Sequence, residues 1–258
     1  MSTKQKKKKL AESTKDPSAP PTPYKGPVHA SNLASIVPLT DAQRTFCTAF
    51  DAGTPCIMLH GVAGTGKTFI AMFKALQDAL MVPKRRIILM RSAVPTRDIG
   101  FLPGHEAEKM AAYQIPYGDM CARLVQHPNG FTKLMEQRTV EFWSTSFIRG
   151  VTLDDATVIV DECQNMNWSE ISTVMTRVGY RSKIIWCGDY RQTDLNKKKN
   201  DVTGILKFFD VAHHMKAFTR IEFTVDDIVR SSLVKDYILA KLKYEDYEDN
   251  KNDNRRSV

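Results

Sequence analysis

The stretch Pro55-Cys56-Ile57-Met58-Leu59-His60-Gly61-Val62-Ala63-Gly64-Thr65-Gly66-Lys67-Thr68 decides how the rest of the chain is read. Its first half, 55–60, is a short apolar run of the kind that a strand buried on both faces requires. Its second half has the spacing G-x-x-x-x-G-K-[ST], and the segment after it, 67–80, has helical apolar periodicity. The glycines let successive backbone N–H groups turn inward around phosphate oxygens, and the helix that starts here aims the positive end of its dipole at the same charge. In such a loop Lys67 reaches the β- and γ-phosphates as a mobile point charge, and the Thr68 hydroxyl ligates Mg²⁺. A glycine-rich turn that matches by accident is the competing reading, and the strand before it and the helix after it count against that.

Outward from this loop, strand-like and helix-like runs alternate. Further strands are expected near 86–90, 139–143, 157–161, 182–187 and 220–224. Helices are expected near 67–80, 105–126 with a break at Pro116, 168–178, 202–209 and 226–242, the last burying Val229, Leu233 and Tyr237. Ahead of the loop, Thr40-Asp41-Ala42-Gln43 precedes Phe46, Ala49 and Phe50 in the form of a capping box that opens a short helix. Short apolar strands alternating with helices predict an α/β fold, a mainly parallel sheet covered by helices on both faces.

Two more strand ends carry chemistry. Val158-Ile159-Val160-Asp161-Glu162 is a buried-type strand that stops at two carboxylates, at the end of the sheet where open α/β folds bind ligands. Asp161 is expected to hold Mg²⁺ or one of its waters, and Glu162 to orient and polarise an attacking water; helix capping by the same acids is the plainer alternative. A nucleotide kinase protects its phosphate from water, so the second carboxylate argues for hydrolysis. The run 182–187 leads into Gly188-Asp189-Tyr190-Arg191-Gln192, and a neutral amide there can bond both the γ-phosphate and the catalytic water. Gln192 is therefore the candidate γ-phosphate sensor, with an ordinary turn as the alternative.

Composition sets the outer bounds. The 258 residues are 42% apolar and 26% charged, which excludes collagen-like and wholly disordered classes. Net charge is +8, but residues 1–30 hold seven Lys against Glu12 and Asp16, together with five of the 12 prolines. That stretch reads as a disordered basic tail, either an electrostatic arm for nucleic acid or a solubilising terminus. Residues 244–258 read as an acidic flexible tail. The five cysteines form no C-x-x-C pair, so reduced thiols in a cytoplasmic protein are expected, mostly buried and without a zinc site. The longest apolar runs span only a few residues, so no membrane segment is expected.

With these residues in hand, the chain closely resembles the PhoH-like family of phosphate-starvation-associated P-loop ATPases. The set 61–68, Asp161-Glu162-Cys163-Gln164-Asn165 and Gly188-Asp189-Tyr190-Arg191-Gln192 carries the resemblance. Arg91-Ser92-Ala93-Val94, Gly100-Phe101-Leu102-Pro103-Gly104, Phe147-Ile148-Arg149-Gly150 and Thr176-Arg177-Val178-Gly179 extend it over roughly residues 35–242. It is similar to the short form found in bacteriophages, which would place it in a host cytoplasm. The resemblance implies one RecA-like domain, residues 31–243, similar to the first motor domain of superfamily 1 helicases. The Gln192 strand would then lie between the phosphate-loop strand and the Asp161 strand. It also implies ATP and Mg²⁺ as cofactors, with Gly61, Val62, Ala63, Gly64, Thr65, Gly66, Lys67 and Thr68 on the nucleotide. Asp161 and Glu162 would serve metal and water, and Gln192 would sense the γ-phosphate. Gln43 stands where helicase-like proteins place an adenine-reading glutamine, with the capping box as its rival role. Ser92, Cys163 and Tyr190 replace the Pro, Ala and Pro expected there; none removes a catalytic group.

Hydrolysis at a useful rate calls for an arginine on the transferring phosphoryl group. In two-domain helicases a second domain supplies it, and this chain is too short to hold one. The finger is therefore expected from a neighbouring subunit of a homo-oligomer, a ring with a hexamer favoured. Arg177 is the first candidate, then Arg149 and Arg230; Arg230 has an alternative role in cis, and for each a surface ion pair is the plain reading. Single-stranded RNA or DNA is the expected partner, with Pro95 to Arg97, Phe101, Tyr113, Tyr117, Lys109 and Lys197-Lys198-Lys199 as candidate contacts, although aromatics at such spacing are more often core. The functional expectation is an ATPase with helicase-like remodelling activity. The alternative is an ATP-dependent binding switch with little hydrolysis, and a P-loop kinase ranks third.

Overall fold

Alternating strands and helices assemble into one six-stranded sheet. The structure is a computed structural model and describes residues 24–92, 106–145, 148–189 and 204–256. In chain order the elements are α1 (Asp41–Asp51), β1 (Cys56–Gly61), α2 (Lys67–Met81), β2 (Arg86–Arg91), α3 (Glu106–Leu124), α4 (Gly130–Glu136) and β3 (Val140–Ser144). Then come β4 (Ala156–Asp161), α5 (Trp168–Met175), β5 (Lys183–Gly188), α6 (Gly204–Ala212), β6 (Phe218–Phe223) and α7 (Ser232–Arg256). The strand order is β3-β2-β4-β5-β1-β6, with every neighbouring pair parallel. The strand leading toward Gln192, β5, thus lies between β1 and β4, as the resemblance implied.

The strands are apolar at nearly every position because both faces of the sheet are buried. Side chains alternate across a strand, so one face presents Ile57, Leu59, Ile87, Leu89, Ile159, Ile185, Ile221 and Phe223. These pack with Phe46 and Phe50 of α1, Ile70 and Leu76 of α2, Tyr117 of α3 and Leu134 of α4. The opposite face presents Met58, Ile88, Met90, Val158, Val160, Ile184 and Trp186 against Ile171 and Val174 of α5 and Ile205 and Phe208 of α6. Four of the five cysteines are buried, Cys47 is half-buried, and all five are free thiols. Among the described residues no helix is long and apolar enough to cross a membrane.

Several expectations need correction, and one element was not expected at all. The helix expected to break at Pro116 instead runs through it. Ile115 is 68% exposed and Pro116 is also exposed, so the turn that lacks an amide donor faces water, which can satisfy the freed carbonyl. The short helix α4 had no expectation, since seven residues hold too few turns to show a period. The chain from 226 forms a short 3₁₀ turn, Val225–Asp227, and α7 starts only at Ser232. Leu233 and Tyr237, expected in the core, are exposed, and the helix continues to Arg256 through the stretch expected as a flexible tail. Finally, Val28 falls within the expected disordered tail yet is buried in the core. Its N–H donates to Gln137 Oε1 at 2.7 Å, and its carbonyl accepts from Gln137 Nε2 at 3.1 Å.

One polar pair interrupts the α5–α6 side of the sheet. Arg220 Nε on β6 donates to His60 Nε2 on β1 at 2.6 Å, and its guanidinium lies 4.5 Å from the centroid of Phe209. Burial first, then the charges of Arg220 and Lys67, push the His60 imidazole down from its ordinary 6.5 to about 4. Native His60 is then neutral at a pH where the unfolded chain already binds its proton. Stability from this group therefore falls as pH drops from about 6.5 toward 4. Urea unfolding at stepped pH should show that decline, and His60→Gln, which keeps an acceptor for Arg220, should flatten it; an equal slope in both proteins would assign the decline elsewhere.

Candidate active site

The site forms where β1, β4 and β5 end. β1 closes on Gly61 with φ +119°, and a Cβ there would stand 2.0 Å from the carbonyl oxygen of Phe223, the last residue of β6. Only glycine lets the two strands run side by side up to the point where the loop departs. Val62 N–H then donates to the same Phe223 carbonyl at 2.9 Å. Gly64 and Gly66 also take left-handed φ values, +78° and +79°, and Gly66 leads directly into α2. Lys67, the first residue of that helix, folds back into the loop. Its Nζ donates to the carbonyls of Gly61 and Val62, each at 2.8 Å, and to Thr65 Oγ1 at 3.3 Å. The loop is thus turned on left-handed glycines and closed around the Lys67 ammonium.

The next residue, Thr68, donates from Oγ1 to Asp161 Oδ1 at 2.7 Å. This bond ties the loop to the end of β4 across the width of β5. The other carboxylate oxygen, Oδ2, accepts from the Tyr117 hydroxyl of α3, also at 2.7 Å. Glu162 follows in a left-handed conformation, φ 53° and ψ 39°, sparsely populated for a residue with a side chain. Its Oε2 accepts from Gln164 Nε2 at 2.6 Å, while Gln164 Oε1 accepts the Asp189 N–H, just past β5, at 3.2 Å. Gln164 is buried, so one amide couples the second carboxylate to the start of the segment that contains Gln192.

Burial sets the charge balance. It drags the Lys67 ammonium down from its ordinary value, opposed by the carboxylates of Asp189, Glu162 and Asp161. It pushes the Asp161 carboxyl up, with Glu162 adding to the rise and the Tyr117 and Thr68 donors resisting it. A cation entering beside Thr68 and Asp161 would relieve this crowding of negative charge. One hydroxyl and one carboxylate, completed by phosphate oxygens and water, form the hard-oxygen donor set that suits Mg²⁺.

Gln43 and Arg230 close the other side of the loop. Gln43, buried on α1, donates from Nε2 to the Thr65 carbonyl at 2.9 Å and accepts the Leu39 N–H at 2.9 Å, while Thr40 Oγ1 caps α1 through the Gln43 N–H. The expected capping box is thus half present: the threonine caps, and the glutamine reaches the phosphate loop instead. Beyond β6, Val229 N–H donates to the Gly64 carbonyl at 3.1 Å. A Cβ on Gly64 would meet Arg230 Cγ at 3.0 Å, so Arg230 lies over the loop of its own chain.

The other two arginines stand apart. Arg177 follows α5, and its carbonyl accepts the Leu153 N–H ahead of β4, so it lies beyond the opposite end of that strand from Asp161, with the length of β4, about 16 Å, between them. Its Nε is buried without a hydrogen-bond partner among the described residues. Arg149 is exposed and lines a cleft with Thr145, Asn167, Ser169, Glu170 and Thr173. Gln192, Tyr190, Pro95 to Arg97, Phe101 and Lys197-Lys198-Lys199 lie outside the described residues. Tyr117, expected as a nucleic-acid contact, is 1% exposed and serves Asp161 instead. Tyr113 stacks under Arg91, whose guanidinium is 5.3 Å from the ring centroid.

A family model described as PhoH-like protein matches residues 35–241. A PhoH-like protein of Mycobacterium leprae is 34% identical over 215 residues, covering 83% of this chain and 60% of that protein. Another, from Bacillus subtilis, is 36% identical over 181 residues, covering 70% of this chain and 56% of its own. The chain thus spans about three fifths of the length of the curated relatives it matches. Among solved structures, the large terminase of a thermophilic bacteriophage in complex with ADP aligns with a TM-score of 0.49 and 15% identity, covering 78% of this chain and 49% of that one.

Tyr117→Phe removes the donor to Asp161 Oδ2 and leaves a buried carboxylate oxygen unpaired. We expect the unfolding free energy to fall by about 1–3 kcal/mol, read by urea titration. A loss below about 0.5 kcal/mol would mean that another donor replaces the hydroxyl.

Proposed function

Because this chain belongs to the PhoH-like family, we propose that it is a Mg²⁺-dependent ATP hydrolase that couples turnover to binding or helicase-like remodelling of single-stranded RNA or DNA, acting as a homo-oligomer. The observation that carries the reading is the 2.7 Å bond from Thr68 to Asp161, which sets a phosphate cradle and an acidic strand end side by side. In this reading the N–H groups at 61–68 and the Lys67 ammonium hold the β- and γ-phosphates. Thr68 and Asp161 hold Mg²⁺, which when bound neutralises charge on those phosphates. Glu162 accepts the proton of the attacking water as its oxygen bonds to the γ-phosphorus and the bridging oxygen leaves with ADP. Gln192 senses the γ-phosphate.

Glu162 suits this role because Gln164 holds it from the side, which leaves its second carboxylate oxygen for a water. Arg230, beside Gly64, supports the cis alternative for that residue. The position of Arg177 beyond the far end of β4 from Asp161, and the exposure of Arg149, suit an arginine supplied to a neighbouring subunit of a ring, with six copies favoured. Gln43 already bonds the Thr65 carbonyl, so its adenine-reading role would require it to exchange that partner.

Steady-state ATP hydrolysis with Mg²⁺, with and without single-stranded RNA or DNA at several salt concentrations, tests the proposal. Turnover should rise with nucleic acid, and the stimulation should weaken as salt increases. Glu162→Gln should lower turnover by about 10²-fold or more while ATP binding persists, whereas Lys67→Ala should abolish binding. ATP binding without turnover under every condition would favour the switch reading over the hydrolase.

A further inference from the structure

Helix α7 has two apolar faces. Ile238, Leu239 and Leu242 form a half-buried inner face, and Ile238 leans on the phosphate loop, its Cδ1 standing 3.3 Å from where a Cβ on Gly64 would lie. The outer face carries Leu233, Tyr237, Ala240 and Tyr244, all exposed, Leu233 at 77% and Tyr237 at 67%. Tyr247 continues the spacing. The intervals are four, three, four and three residues, the 3.5-residue mean of a coiled-coil seam. Isolated exposed apolar residues are ordinary, but large ones in heptad order along one helix mark a contact surface.

Charges beside the seam select what covers it. With Leu233 and Ala240 at d positions and Tyr237 and Tyr244 at a positions, Asp236 and Lys243 take the g positions and Val234 and Lys241 the e positions. In a parallel pair each g residue faces the e residue five positions further along the other helix. Asp236 then faces Lys241 of the second copy, and the sequence repeats the relation, since Lys243 is followed five residues on by Glu248. In an antiparallel pair e faces e and g faces g: with Ala240 opposite Tyr244 that sets Lys241 against Lys241 and Lys243 against Lys243, and with Ala240 opposite Tyr237 only Asp236 meets an opposite charge, Lys243, so the parallel pair satisfies more of the charges. Within its own chain Lys241 makes an exposed ion pair with Glu245 at 3.5 Å, weak enough to exchange.

We propose that α7 is where a second copy of this chain binds, outer seam to outer seam and parallel. The inference rests on the homo-oligomeric part of the proposed function and adds a two-fold contact that closes at two copies, distinct from the head-to-tail contact around a ring. The inner face would stay on the phosphate loop while the outer face joins the copies.

Light scattering on the full chain, with and without ATP and Mg²⁺, should give a mass above the 29.2 kDa of one chain. The pair Leu233→Asp and Tyr237→Asp should weaken self-association at least tenfold, with far-UV circular dichroism unchanged because both sites are outside the core. Mild oxidation should cross-link both Ala240→Cys and Leu233→Cys into dimers, and wild type into none. Cross-linking of Ala240→Cys alone would mean an antiparallel pair and overturn the orientation. An oligomer unmoved by the double substitution would overturn the seam while sparing the oligomeric reading. A monomer that hydrolyses ATP would overturn both and leave the hydrolase standing.

Discussion

The hydrogen bond from Thr68 to Asp161 joins two parts of the chain 93 residues apart, and the site exists only if the whole sheet is assembled correctly. The loop hangs from β1, the acid from β4, and β5 separates them, so an error in strand order would leave the two oxygens apart. Close approaches at glycines surround the bond. Gly61 passes under the Phe223 carbonyl, and a side chain on Gly188 would strike the Gln164 amide oxygen at 2.6 Å. Glycine is used here to bring strand ends and the segments beside them together, as well as to turn the loop.

Most of the framework was legible because burial on both faces writes itself into the strands. Ile57-Met58-Leu59, Ile87-Ile88-Leu89-Met90 and Val158-Ile159-Val160 leave no polar position that could face water. The loop and the Asp161-Glu162 pair were legible for a different reason: the phosphate and metal chemistry proposed for them accepts few residue types at those places. Gln43 is conspicuous for its position, yet its partner, a loop carbonyl 22 residues on, has no sequence mark.

The unread parts share a physical cause. Tyr117 is apolar over most of its surface, so its role as a donor to Asp161 is invisible until α3 is docked on the sheet. Gln164 sits in the acidic motif itself, but its link to Asp189 depends on a β4–β5 neighbourhood that only the assembled sheet supplies. Leu233 and Tyr237 misled because helical periodicity reports that a face is apolar without saying which surface it meets. Val28 misled in the opposite sense, since composition averages over a stretch and one valine between prolines carries little weight in it. Helix α4 is a matter of length alone.

The tether between Gly64 and Val229 has a mechanical consequence. The phosphate loop is fastened to the chain just before α7, and the inner face of that helix rests on the same glycine. A helix of 25 residues is about 37 Å long. A tilt of about 5° at its base would carry its far end through about 3 Å, comparable to the stagger between neighbouring residues of a strand. If the loop grips a phosphate as proposed, a movement of a few tenths of an ångström there would be geared up along the helix. A change at the loop would then be felt at a surface about 37 Å from it.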